Sequence, residues 1–133
     1  MPTGQTNDAG WQIGVSRTLD ATPEAVWQLL VSERGLAIWL GDGAALDPEA
    51  GRWTSDAAAG EVRSYHEVDR VRLRLPTDDG THLTTTQLAV QATADGRTVL
   101  VLHEEHLRDP GERIRRRTHW RGVADRLQSA LLT

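Results

Sequence analysis

The run His103-Glu104-Glu105-His106 gathers two imidazoles and two carboxylates in four positions, the side chains that bind zinc or move protons. A zinc-protease motif needs its histidines four apart on one helical face. Here they are three apart in a stretch that reads as a strand, so they point to opposite sides. No metal site is expected. Nor does any serine, histidine and acid stand in a nucleophile-elbow context, and no glycine loop is placed to cradle phosphate. No catalytic residue and no cofactor are assigned. Two charged residues remain, each set in an apolar alternation. Arg17 shares a strand face with Trp11, Ile13, Val15 and Leu19, and Glu104 continues the face of Leu100 and Leu102.

The elements that position them are legible. Trp11 to Leu19 alternates as a strand. Thr22-Pro23-Glu24 then starts a helix, with a capping hydroxyl, a proline at the first helical position and an acid in the first turn. Ala25, Val26, Leu29 and Leu30 give it an apolar face, and Leu36, Ile38, Trp39 and Leu40 make a second short piece. Two small helices bent at Gly35 are expected.

Gly41 to Gly51 reads as a loop, Arg52 to Ser55 as a short strand, Asp56 to Gly60 as a turn and Glu61 to Val68 as a strand. Val71, Leu73 and Leu75 alternate with Arg72 and Arg74 up to Pro76, and 77–81 is turn material. Leu83 to Ala92 and Thr98 to Leu107 form a hairpin across Ala94-Asp95-Gly96-Arg97.

Pro110 opens the last element. Trp120, Val123, Ala124, Leu127 and Leu131 make a helical stripe that must lie on the sheet. In its first half Arg113, Arg115, Arg116 and Arg117 read as a solvated helical turn balanced by Glu104, Glu105, Asp109 and Glu112; an anion or nucleic-acid patch is the alternative.

A chain of 133 residues suits one domain, 11–133, after a small polar lead-in, 1–10, expected to be disordered. It has no cysteine, which excludes disulfides and thiolate zinc sites. The opening residues are not expected to act as a signal peptide, no run nears the ~20 residues of a membrane span, and the cytoplasm is the expected location. The net charge of -4 argues against a nucleic-acid partner.

Taken together, R-T-L-D-A-T-P-E-A-V-W-Q-L-L (17–30), A-I-W-L (37–40), G-R-W (51–53), G-E-V (60–62), D-R-V-R-L (69–73), G-R-T-V-L-V-L (96–102), E-E-H-L (104–107) and H-W-R-G-V-A-D-R-L (119–127) carry a family resemblance. The chain resembles the SRPBCC superfamily, related to START and Bet v-like domains, and within it the branch named after the activator of heat-shock-protein-90 ATPase. The likeness spans roughly residues 11–132, with His119 where the family usually has glycine. It implies an α+β helix-grip fold: a curved antiparallel sheet of six or seven strands around the last helix, with two short helices after the first strand. It also implies a cavity for an apolar small molecule between sheet and helix, and similar relatives often carry Glu or His at the position of Glu104.

In that topology Arg17 and Glu104 lie on neighbouring strands, and the economical expectation is that they pair, because an unpaired buried charge costs several kcal/mol. The expected pocket is walled by Trp39, Trp53, Tyr65, Leu73, Leu88, Leu102 and Trp120, with Arg17 and Glu104 as its polar end. Sequestration or transport of an apolar ligand follows, by a monomer or homodimer with no membrane partner. The rivals are a cofactor-free cyclase or dehydratase with Glu104 as general acid or base, and a co-chaperone-like interaction module.

Overall fold

The computed structural model describes residues 5–6, 10–77 and 80–132. Strands β1 (Gln5–Thr6) and β2 (Gly10–Leu19) lead into helices α1 (Pro23–Val31) and α2 (Glu33–Trp39). Strands β3 (Ala45–Asp47), β4 (Arg52–Thr54), β5 (Ala59–His66), β6 (Arg70–Pro76), β7 (Leu83–Ala92) and β8 (Thr98–Leu107) follow, and α3 (Pro110–Ala130) closes the chain. Every pairing is antiparallel, in the order β1-β2-β8-β7-β6-β5-β4-β3. Seven strands of three to ten residues, β2 to β8, carry the sheet, and the two-residue β1 extends one end. This is the α+β helix-grip arrangement expected from the sequence. Among the described residues no helix is long and apolar enough to cross a membrane.

Four boundaries differ from the sequence reading. The strand expected over Glu61 to Val68 runs Ala59–His66, since Val68 takes a positive φ of 57° in the turn to β6. Gln5–Thr6 of the lead-in pair with Gly10 and Trp11, because a strand flanking β2 gains backbone bonds that composition does not reveal. Residues 1–4 and 7–9, and Asp78 and Asp79 of the 77–81 turn, lie outside the described residues. Within the expected loop 41–51, Ala45–Asp47 pairs with β4. The helical pair breaks at Ser32 rather than Gly35. The Ser32 hydroxyl donates to the Leu29 carbonyl at 2.7 Å and accepts from the Gly35 N–H at 3.0 Å, ending one helix and starting the next. Gly35 lies inside α2 for a different reason. A Cβ there would stand 1.7 Å from the Leu29 carbonyl oxygen, so its missing side chain lets α2 press on the end of α1.

The inward faces of the long strands and the stripe of α3 make one core around Leu19, Leu30, Val71, Leu73, Leu88, Leu100, Leu102, Trp120, Val123 and Leu127. The start of α3 is capped by Asp109, which accepts from the Glu112 N–H at 2.8 Å, while Glu112 accepts from the Arg108 N–H at 3.0 Å. Near its end β8 carries a bulge. Ile13 stands opposite Glu104 but Trp11 opposite Leu107, and His106 takes the extra position with a positive φ of 68°. The insertion re-phases the strand, so Glu104 and Leu107, three residues apart, are both buried.

Candidate functional site

A polar cluster of the interior is built on Glu104, 1% exposed. Its Oε1 accepts from Arg116 Nε at 2.7 Å and from Trp120 Nε1 at 2.8 Å, and its Oε2 accepts a short bond from Thr84 Oγ1. The Arg116 guanidinium also lies 5.7 Å from the centre of the Trp120 ring. A carboxylate whose two oxygens take three bonds, one from a cation, is a compensated buried charge. Thr86 stands opposite Glu104 in the sheet, and its buried hydroxyl has no hydrogen-bond partner among the described residues.

Arg17 is not part of this cluster. It does share the inward face and sits on the neighbouring strand, but it stands opposite Leu100, four residues along the register from Glu104. That is about 13 Å of strand. Arg17 instead meets Asp125 at 2.8 Å and the Gln128 side-chain oxygen at 2.8 Å. The expected couple is thus replaced by two separate ties, each from the sheet to α3. The helix lies across both strands, so its own polar residues are nearer to each than they are to one another.

Arg116 leads outward from Glu104 into a cleft of about 360 Å³, bounded by α2, the loop after it, β4, the end of β6 and α3. Its apolar wall includes Ile38, Trp39, Trp53 and Leu75, and Arg116, His119 and Arg126 of α3 face it together with Asp42. The walls are held. Trp39 Nε1 donates to the Leu30 carbonyl and Trp53 Nε1 to the Arg74 carbonyl, each at 2.8 Å. Gly60 opposite Trp53 makes room for the indole, since a Cβ there would come within 2.5 Å of Nε1. His119 sits edge-on to Trp120, with ring centres 5.0 Å apart.

Of the residues expected to line one pocket, the cleft brings together Trp39 and Trp53. Leu73, Leu88, Leu102 and Trp120 are at most 1% exposed and fill the space between sheet and helix. Tyr65 faces a second groove of about 600 Å³ on the far side of α2, with Leu36, Ala44, Leu46 and Pro48, and its ring packs 5.6 Å from Trp27. His119 and Arg126 were not expected at the cleft. Their signal was the spacing 116, 119, 126, which places all three on one side of a helix.

His103 and His106 have different surroundings, but the bulge interrupts the alternation from which opposite faces were expected, because Glu104 and Leu107 are the inward residues and His106 takes the extra position between them. His103 Nε2 donates to the Gln12 side-chain oxygen at 2.9 Å, whereas His106 is exposed at the bulge. Among the described residues no three His, Asp or Glu side chains cluster as metal ligands would.

Comparison with known proteins gives structural neighbours only: no family model and no curated protein matches the chain. CalU16 from Micromonospora echinospora superposes with a TM-score of 0.72 at 16% identity, over 97% of this chain and 82% of that one. An HSP90 activator from Plasmodium falciparum, PFC0360w, gives 0.68 at 15% identity, over 84% and 88%. DynU16, encoded in the dynemicin biosynthetic locus, gives 0.68 at 20% identity; the match covers 92% of this chain but 47% of that one. At such identities the likeness shows the fold alone, the helix-grip arrangement described above.

Proposed function

We propose that the chain binds a small, mainly apolar molecule in the cleft between α2, the sheet margin and α3, with the molecule's polar or anionic end toward Arg116, His119 and Arg126. The observation that carries this reading is the pairing of the Trp39 and Trp53 wall with three basic side chains from one face of α3 in a cleft of about 360 Å³. That volume lies within the range of small-molecule sites, roughly 300 to 1,000 Å³. Trp39 and Trp53 supply the apolar surface, while Arg17, Tyr65, Leu73, Leu88, Leu102, Glu104 and Trp120 act behind the site by holding the sheet and helix in place. Sequestration or transport by a cytoplasmic monomer or homodimer is the role that follows.

The arrangement of Glu104 favours binding over proton transfer. A general acid or base must reach its substrate, and both oxygens of this carboxylate are occupied beneath α3.

Titration with anilinonaphthalene sulfonate, an apolar fluorophore with one anionic group, tests the site. Ala58→Trp, which fills the cleft, is expected to abolish binding, and Ala45→Trp, in the groove beside Tyr65, to leave it unchanged. The reverse pattern would move the site to the other groove. Native mass spectrometry of protein from its own source then identifies any retained molecule.

A further inference from the structure

The arginine-rich half of α3 is only partly absorbed by the fold. The helix carries six arginines against two acids, Glu112 and Asp125, in a chain whose net charge is -4. Both acids are engaged, Glu112 with His82 and Arg108, and Asp125 with Arg17. Arg116 is held by Glu104, and Arg113 donates from Nε to the Gln12 carbonyl at 2.8 Å. Arg117 and Arg121 are left exposed, and among the described residues neither has a carboxylate or hydrogen-bond partner. With Gly14, Val15 and Ser16 they line a groove of about 250 Å³ where α3 runs beside β2.

Among the described residues, that side of β2 is an edge beyond Trp11: β1 pairs with Gly10 and Trp11, and the next outward carbonyl, that of Gln12, is taken by Arg113. Backbone groups alternate in direction along a strand, so Gly14 and Ser16, two and four residues on, present N–H and C=O toward the same side. Gly14 adds no side chain to obstruct them, with nothing within 4 Å of where its Cβ would stand.

We propose that this groove docks an extended acidic segment of another protein, added to β2 as a further strand with carboxylates on Arg117 and Arg121. The spacing matches: residues four apart on a helix lie about 6 Å apart, and alternate side chains on a strand repeat at roughly 7 Å. Strand addition gives affinity through main-chain bonds and selectivity through side chains, here through charge. A second copy of this chain is the wrong occupant. Two-fold pairing of β2 with itself would bring the same arginines face to face. The acidic remainder of the surface likewise opposes nucleic acid.

The test uses the full chain and two fluorescein-labelled octapeptides, one alternating glutamate with threonine and the other glutamine with threonine, read by fluorescence anisotropy. The acidic peptide is expected to bind, with a strong salt dependence, and the neutral one to bind at least tenfold more weakly. Arg117→Gln with Arg121→Gln should weaken the acidic peptide by about tenfold, the loss of two charge-assisted contacts. Hydrogen exchange should show protection gained at the Gly14 and Ser16 amides, and Ser16→Pro, which removes one of those donors, should weaken binding too. If Ser16→Pro does not fold, exchange on the wild-type chain decides. Equal binding of both peptides, or an unchanged double variant, overturns the proposal. So does protection that inorganic phosphate reproduces alone, which would mean an oxyanion site, and so does dimerisation through this edge in sedimentation.

Discussion

Arg116 and Glu104 meet 2.7 Å apart beneath α3, with 12% and 1% of their side chains exposed. The pair joins helix to sheet, and Trp120 donates to the same carboxylate oxygen from one turn further along. Glu104→Ala should therefore leave a nearly buried guanidinium, an indole N–H and a threonine hydroxyl without their acceptor, at a cost of roughly 3 to 5 kcal/mol. Urea unfolding measures it. Glu104→Leu combined with Arg116→Met should cost much less than the two single changes summed, and a cycle without coupling energy would show that the pair is not formed.

Arg17 contributes less. Its side chain is 27% exposed and that of Asp125 69%, so solvent screens the contact, and Arg17→Met should change stability by no more than about 1 kcal/mol. Combined with Glu104→Ala it should be additive to within about 0.5 kcal/mol, since the two side chains never meet. A larger coupling would contradict the separation seen along β2 and β8.

The joint between α1 and α2 is expected to be sensitive at two neighbouring positions for different reasons. Ser32→Ala removes a hydroxyl that serves both helices and should cost about 1 to 2 kcal/mol. Gly35→Ala should cost about 1 to 3 kcal/mol or more, as overpacked sites do, because the new methyl has to displace backbone. Thermal melts rank them; a Gly35→Ala variant as stable as wild type would mean that the helices separate freely.

At the β7–β8 turn Asp95 accepts a short bond from Thr93 and pairs with Arg97, which hold its carboxyl below the usual 3.8 although exposed. With the folded value depressed, the turn's contribution is complete above about pH 3.8 and is lost as pH falls through the folded value. Carboxyl NMR titration should place the Asp95 midpoint below 3.8, and Thr93→Ala should raise it. A midpoint at or above the usual value would remove the turn's acid dependence.

Periodicity carried most of the architecture. The β7 and β8 hairpin appears with the boundaries its alternation gave, and the stripe from Trp120 to Leu127 is buried on the sheet as its spacing required. What alternation could assign was a face; what it could not assign was distance along a strand, and the Arg17–Glu104 couple failed on that count alone. Likewise, Trp39 and Trp53 were legible as large inward aromatics, but the cleft they wall also depends on Arg126, which in sequence is one more arginine on a helix rich in them. The position of Ser32 shows the same limit. A serine with a glycine three residues later marks a break, yet only the meeting of two helix ends shows which residue does the breaking.

The bulge at His106 makes the count of residues in β8 as consequential as their identity. His106 itself is exposed, and its positive φ of 68° is best met by glycine or asparagine. Deleting it is another matter. The strand would return to strict alternation, and either Leu107 would turn to solvent, taking with it the approach to Pro110, or Glu104 would turn outward and abandon Arg116 and Trp120. A one-residue shortening at an exposed surface position would thus uncouple the closing helix from the sheet, damage that substitution there does not reach.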